Sequence, residues 1–226
     1  MKIINILILI TILPASLFSE NFNFSSDKTS ISLAKGSEQT NLTGNAQIIS
    51  DNTTINADYI ELFGDDFQYA LCKGNILVID KNQGIQINTE KLFYDRESEI
   101  MTINSYAVMV DQKNEIVVKG SYFENRGKDN ITIIQIGVRI FKAGEKDSMI
   151  CRSEYAKYNR EKETLDLEGM PIVIWKSDEY RASRITIDLD TDNIDMTGEV
   201  SGTIKSDNQN PEEETAPINP EGDIVE

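Results

Sequence analysis

The sequence predicts an all-β fold of roughly 14–16 strands, built from about five stacked repeats. Three observations carry this prediction. Apolar and polar residues alternate with a period of two, β-branched and aromatic residues fill these runs, and a unit of about 31 residues recurs along the chain. Each unit reads as a strand, a turn, a longer strand, a second turn and a short strand. A unit of this size cannot bury its apolar face alone, so the units must stack on one another.

Six five-residue strand segments mark the starts of the units. Their third residues fall at positions 46, 76, 107, 138, 171 and 202, which are 30 to 33 residues apart. The fifth residue of every segment is apolar. The first five of these residues predict one ladder of side chains on a shared face of the sheet, and they are Ile48, Val78, Met109, Ile140 and Val173.

A small residue within the longer strand is the second landmark of each unit, and it falls at Ala57, Thr89, Gly120, Ser153 and Ser183. Apolar residues close to it predict a second ladder, formed by Ile55, Ile87, Val118 and Ile185 with Tyr59, Tyr122 and Tyr155 beside it. Two interpretations fit both ladders: a filled sandwich core, or two splayed sheets whose inner face holds acyl chains. Period-two alternation is required by both.

The two ends of the chain differ from the repeats. Residues 1–19 hold Lys2, an apolar run from Ile3 and a small residue at Ser19, which together predict a cleaved signal peptide and an exported protein. An uncleaved membrane anchor is the alternative. Residues 206–226 contain three prolines and seven acidic residues without a basic one, so they predict a disordered acidic tail. Residues 20–205 remain as a single domain.

The composition excludes several classes of function. The 226 residues include no histidine and two cysteines, which rules out a Ser-His-Asp or Cys-His nucleophile and the common zinc sites. The net charge of −16 and the pI near 4.4 argue against a nucleic-acid partner. The remaining classes are a binding, transport or structural protein without a cofactor, and an enzyme that uses carboxylates alone.

Three weaker motifs have ordinary structural explanations. Asp188, Asp190, Asp192 and Glu199 follow part of the spacing of a calcium loop, but Asn193 stands where such a loop has glycine, so we expect a polar hairpin turn. Cys72 and Cys151 either form a disulfide or fill core positions. Carboxylate pairs suited to glycoside hydrolysis are more simply read as solvated strand faces, and they are Glu61 with Asp65 and Asp166 with Glu168.

Several segments resemble a known domain. These segments are Leu42–Ala46, Ile55–Asp58, Gly74–Asn75, Leu92–Asp95 and Leu167–Gly169. They are similar to the OstA-like domain, which is shared by the lipopolysaccharide-transport proteins LptA and LptC and by the N-terminal part of LptD. The resemblance covers about residues 22–205. It implies a V-shaped β-jellyroll of two antiparallel sheets, whose members join edge to edge into a continuous apolar trough.

The resemblance also implies a function. It points to a non-catalytic periplasmic bridge protein that carries lipopolysaccharide, or a similar amphiphile, between LptC-like inner-membrane and LptD-like outer-membrane proteins, with end-to-end homo-oligomers as a further assembly. The two ladders would then bind the lipid. Lys91 and Arg181 depart from the pattern and place a continuous apolar stripe in question. A membrane-tethered LptC-like component and a structural or adhesive β-repeat protein with a closed core are the alternatives.

Overall fold

The computed structural model describes residues 22–34, 38–50, 52–144 and 148–205. The predicted signal peptide and acidic tail lie outside these residues. The all-β prediction is confirmed, because the described residues form 18 strands, all paired antiparallel, and two short 3-10 helices. Within the described ranges, no helix is long and apolar enough to cross a membrane.

The strands pair antiparallel with strands close to them in the chain. Their bounds are β1 Phe22–Ser25, β2 Lys28–Ser32, β3 Gln39–Ser50, β4 Thr53–Phe63, β5 Tyr69–Asp80, β6 Ile85–Asp95, β7 Ile100–Ile103, β8 Ala107–Asp111 and β9 Ile116–Gly120. The second half of the chain contributes β10 Tyr122–Arg126, β11 Ile131–Lys142, β12 Met149–Asn159, β13 Thr164–Glu168, β14 Ile172–Trp175, β15 Asp178–Arg181, β16 Arg184–Asp188, β17 Asn193–Thr197 and β18 Ser201–Thr203. Some pairs skip one or two strands, such as β9 with β11 and β7 with β10. The 3-10 helices are Asp65–Phe67 and Gly127–Asp129.

A Gly-Asn pair lies at the bend of each of the long strands β3 and β5. In β5 the pairing register shifts where Gly74 and Asn75 adopt φ values of 74° and 44°. Such a left-handed pair forms a bulge and re-aims the strand, and both residue types tolerate this conformation. The Asn75 side chain donates a hydrogen bond of 2.8 Å to Oδ2 of Asp58. Gly74-Asn75 and the facing Ala57-Asp58 are therefore two sides of one bend.

These bends divide the sheet into two layers. The first layer contains β1, β8, β9, β14, β15 and β18 together with residues 46–50, 53–57, 76–80, 85–89, 138–142 and 149–153. The second layer contains β2, β7, β10, β13, β16 and β17 together with residues 39–43, 59–63, 69–73, 91–95, 131–135 and 155–159. Each long strand thus crosses from one layer to the other.

The strand count exceeds the roughly 14–16 predicted by stacking five units. Strands β1 and β2 precede the first unit. The short strand predicted to close one unit sometimes continues through the bend into the next unit, as in β5, and sometimes stops there, as between β13 and β14. The repeat is therefore better described as a pair of bent strands than as three separate ones.

The inner faces of the layers pack against each other in one apolar core. Buried side chains from both layers, such as Met109 and Leu167, belong to a single contiguous cluster. At the ends, β1 and β2 and then β17 and β18 each pair on one side only within the described residues, and β2 and β18 are exposed throughout. The core therefore ends at unpaired strand edges, which soluble proteins normally protect.

Candidate functional site

An uninterrupted apolar row crosses the inner face of the first layer. The register places its members directly opposite one another on neighbouring strands. In order from β3 to β15, the row is Ile48, Ile55, Val78, Ile87, Met109, Val118, Ile140, Cys151, Val173 and Tyr180. The two ladders predicted from the sequence are thus one ladder, apart from Ile185. We call this set the inner row.

The position predicted for Ile185 is wrong. Ile185 lies in β16 on the inner face of the second layer, opposite Leu167 and Met196. In the fifth unit the buried small residue at the bend is Ala182 rather than the exposed Ser183, so the predicted alignment is displaced by one residue. A one-residue displacement moves a side chain to the opposite face of a strand.

The positions predicted for three tyrosines are also wrong, and the two cations expected to interrupt the apolar stripe do not lie in it. Tyr59, Tyr122 and Tyr155 lie beyond the bends on the outer face of the second layer, where they are partly exposed. Lys91 shares that outer face, and Arg181 lies on the outer face of the first layer. Since neither cation points into the core, the inner row remains apolar through the second and fifth units.

The second layer presents a matching apolar surface to the inner row. Its core-facing side chains, all buried, include Leu42, Ile60, Cys72, Leu92, Ile103, Phe123, Ile134, Ala156, Leu167 and Ile185. The members of the inner row from Ile48 to Val173 are at most 6% exposed. The layers are therefore in contact along their length, and a guest between them must displace side chains of the core.

Both cysteines act as core residues. Cys72 lies in the second layer between Ile60 and Leu92, and Cys151 lies in the first layer between Ile140 and Val173. Both are free thiols, and burial raises the pKa of each to about 12. The thiols therefore stay protonated and unreactive while the fold is intact.

A polar cluster joins the two layers at the strand ends farthest from the bends, where Asp111 and Arg160 lie. We call this side of the protein the mouth. Arg160 Nε donates to Oδ2 of Asp111 at 2.8 Å, and its Nη1 donates to Oε1 of Gln83 at 3.2 Å. Asn114 Nδ2 donates to Asp111 Oδ2 at 2.9 Å and to the Tyr158 hydroxyl at 2.8 Å. We call these five residues the Asp111 cluster. It ties the ends of β8 and β12 together, and burial beside the Asp111 carboxylate raises the pKa of Tyr158.

Sequence reasoning missed the Asp111 cluster, although one signal was present. Asp111 stands two residues after Met109, so period-two alternation places its carboxylate on the apolar inner face. The carboxylate is fully buried and the Arg160 side chain is 15% exposed. A buried charge of this kind requires a partner.

Two cavities flank the Asp111 cluster along the mouth. One, of about 90 Å³, is lined by Val78 and Ile87 of the inner row together with Tyr94 and Met101. The other, of about 330 Å³, lies where Lys142 Nζ donates to the Leu189 carbonyl at 2.7 Å. The mouth therefore reaches the apolar interior on one side of the cluster.

The acidic motifs hold structural positions. Asp188 Oδ1 accepts hydrogen bonds from the backbone N–H groups of Asp190 and Thr191 at 3.1 and 2.9 Å, so this segment is a hairpin turn. Asp166 accepts a bond from Thr186, and Glu168 pairs with Arg184 on the outer face. In the described part of the chain, no group of three or more acidic or cysteine side chains is placed to hold a metal ion.

Comparison with known proteins adds an independent finding. Residues 24–193 match the family described as "LptA/(LptD N-terminal domain) LPS transport protein". Among solved structures, the chain matches LptH, the LptA-homologous periplasmic component of the lipopolysaccharide transport device from Pseudomonas aeruginosa. That match has 14% identity and a TM-score of 0.34, and it covers 68% of this chain and 95% of the LptH chain. A comparison with curated proteins finds no match.

Proposed function

The chain belongs to the LptA/LptD N-terminal domain family of LPS transport proteins, and from this premise we propose that it is a non-catalytic periplasmic bridge for lipopolysaccharide or a similar amphiphile. The acyl chains would lie between the two layers against the inner row. The phosphorylated headgroup would remain in solvent at the mouth, because the protein is acidic overall.

The continuity of the inner row is the observation that carries this proposal. It extends over ten opposed side chains without a charged residue. Burial of each methylene group contributes about 0.8 kcal/mol, so a long acyl chain binds without a specific polar contact. A row that runs from β3 to β15 offers equivalent positions along which such a chain can slide.

Loading requires the layers to separate at the mouth. The inner faces are in contact, so an acyl chain must replace contacts between the layers. The layers remain connected at the bends, and the Asp111 cluster holds their free ends together. The opening movement therefore breaks this cluster before it disturbs the bends.

The unpaired edges supply the docking surfaces of the bridge. We infer that β1 and β2 accept one neighbour and that β17 and β18 accept another, by addition of strands to the open sheet. LptC-like and LptD-like proteins, or a second copy of this chain, would be the neighbours. Ile31 at one end and Ile204 at the other are 53% and 78% exposed, so a docked domain would also cover apolar surface.

Binding of a fluorescent lipid A analogue to the purified protein tests the proposal. Met109→Asp places a charge in the inner row, and Val108→Asp places it one residue away on the outer face. We expect saturable binding that Met109→Asp abolishes. Val108→Asp retains binding, and circular dichroism checks the fold of both variants. Equal binding by the two variants, each folded, would refute an interior lipid site.

One observation favours a second candidate, a structural β-repeat protein with a closed core. The inner row is almost completely buried, as in a sandwich that never opens. That function predicts no lipid binding at any concentration and unchanged stability when the amphiphile is added. The proposed bridge instead predicts a higher unfolding midpoint with lipid, because a ligand that binds the native state stabilises it.

A further inference from the structure

The outer face of the first layer carries a row of cations. Lys119 lies opposite Arg139, and Arg139 lies opposite Arg152 on the next strand. Arg152 then faces Ile172, which faces Arg181 on β15. All four cations are exposed. We call Lys119, Arg139, Arg152 and Arg181 the cationic row.

This face is basic although the protein is acidic. The net charge of the chain is −16. Beside the cationic row, Glu179 pairs with Arg181 at 2.6 Å, and Glu154 accepts a bond from the Gly137 N–H at 3.4 Å. Among the residues that the structure describes, the other three cations form no ion pair. Their charge is therefore available to an external partner.

An apolar row runs parallel to the cationic row, one step nearer to the mouth. Its members lie opposite one another on consecutive strands, in the order Val110, Val117, Phe141, Ile150 and Ile174. Phe141 and Ile150 are 41% and 39% exposed. The solvent face of an antiparallel sheet is normally polar, so the two rows together form an amphipathic surface.

We propose that this surface docks on an anionic lipid bilayer. The cations would contact lipid phosphates while Phe141 and Ile150 enter the boundary between headgroups and acyl chains, which is the arrangement of peripheral membrane segments. An acidic peptide, such as residues 206–226 with seven acids and no aromatic residue, would satisfy the cations but leave the apolar row in water. The proposal is independent of the interior site, because the two surfaces lie on opposite faces of the same strands.

The dimensions suit a membrane surface. Adjacent strands are about 4.8 Å apart, so the cationic row spans roughly 20 Å from β9 to β15. Each cation near an anionic surface contributes about 1 kcal/mol, which is about fivefold in partitioning. The acidic residues on other faces lie farther from the bilayer, where physiological salt screens charges beyond about 8 Å.

Sedimentation of the full chain with vesicles tests this docking. We expect binding to vesicles of phosphatidylcholine with phosphatidylglycerol and little binding to phosphatidylcholine alone. Reversal of two cations in Arg139→Glu/Arg152→Glu should weaken partitioning by at least about 30-fold. The matched control, Lys73→Glu/Lys91→Glu, makes the same change of charge on the outer face of the second layer and should stay within about threefold. Residues 1–19 are present in every variant, so any vesicle binding by this apolar segment is the same in all of them.

Further variants keep the test decisive. Phe141→Ser retains all four cations and should still weaken binding severalfold, since it removes exposed apolar surface. Arg139→Gln/Arg152→Gln replaces the glutamate variant if that protein fails to fold. The proposal is overturned if the full chain ignores anionic vesicles, or if both charge reversals weaken binding equally. It is also overturned if vesicle binding begins only after residues 206–226 are deleted, because those residues would then cover the face.

Discussion

Replacement of Arg160 by alanine should destabilise the fold far more than replacement of an exposed arginine. Arg160 is the cationic partner of Asp111, whose carboxylate is fully buried. Removal of one member of a buried ion pair typically costs about 3–5 kcal/mol. The backbone N–H groups of Lys113 and Asn114 still donate to this carboxylate at 3.1 Å, so we expect the lower end, about 3 kcal/mol.

Urea unfolding followed by circular dichroism measures this cost. The matched control is Arg126→Ala, because the pair of Arg126 with Glu124 is 42% and 22% exposed. It should cost less than about 1 kcal/mol. Neutralising both partners, in Asp111→Asn/Arg160→Gln, should recover more than half of the loss, because no unpaired charge is then buried. An Arg160→Ala cost equal to that of Arg126→Ala would show that the Asp111 cluster does not hold the layers together.

Three further outcomes follow from the bends, the thiols and the edges. Gly74→Ala should cost more than Gly137→Ala, because an added Cβ would clash with the Asp58 side chain at the first site and would meet nothing within 4 Å at the second. Thermal unfolding compares the stability of the two variants. The free energy of unfolding should fall by about 1 kcal/mol for each thiol between pH 8.5 and 9.5, since burial raises the pKa of Cys72 and Cys151 above the unfolded value of about 8.5; replacing both by alanine removes this slope. Gly202→Pro on the edge strand β18 should leave the fold intact and reduce end-to-end assembly in size-exclusion chromatography.

The pleat of a strand explains why the inner row was largely predictable. Side chains two residues apart share a face, so Val78 and Ile87 were identified as core-facing without knowledge of their pairing. That both belong to one row depends on the hairpin register, which places them directly opposite each other. Turn length sets this register, and the sequence left the turn lengths approximate.

The error at Ile185 has a local cause. Ala182 and Ser183 are both small, and the sequence does not reveal which one lies at the inside of the bend. The structure buries Ala182 and exposes Ser183. The repeat pattern also predicts strand starts at the bends, although Gly74 and Asn75 are residue types that accept positive φ.

Contacts between the layers could not be predicted from periodicity. Asp111 and Arg160 are 49 residues apart in the chain, and they meet only because the layers fold onto each other. The cationic row likewise depends on the register of five strands, since Arg139 and Arg152 are separated by a turn of unpredicted length. Alternation identifies the face of a side chain, and the pairing of strands identifies its neighbours.

Photo-crosslinking in living cells tests the interior lipid path most directly. A photoreactive amino acid is placed at Val78 and Met109 of the inner row, and at Leu77 and Val108, the adjacent residues on the outer face. The proposed bridge predicts lipopolysaccharide adducts at the two inner positions and none at the two outer ones. Equal capture at all four positions, or none at the inner positions in folded protein, would contradict the account.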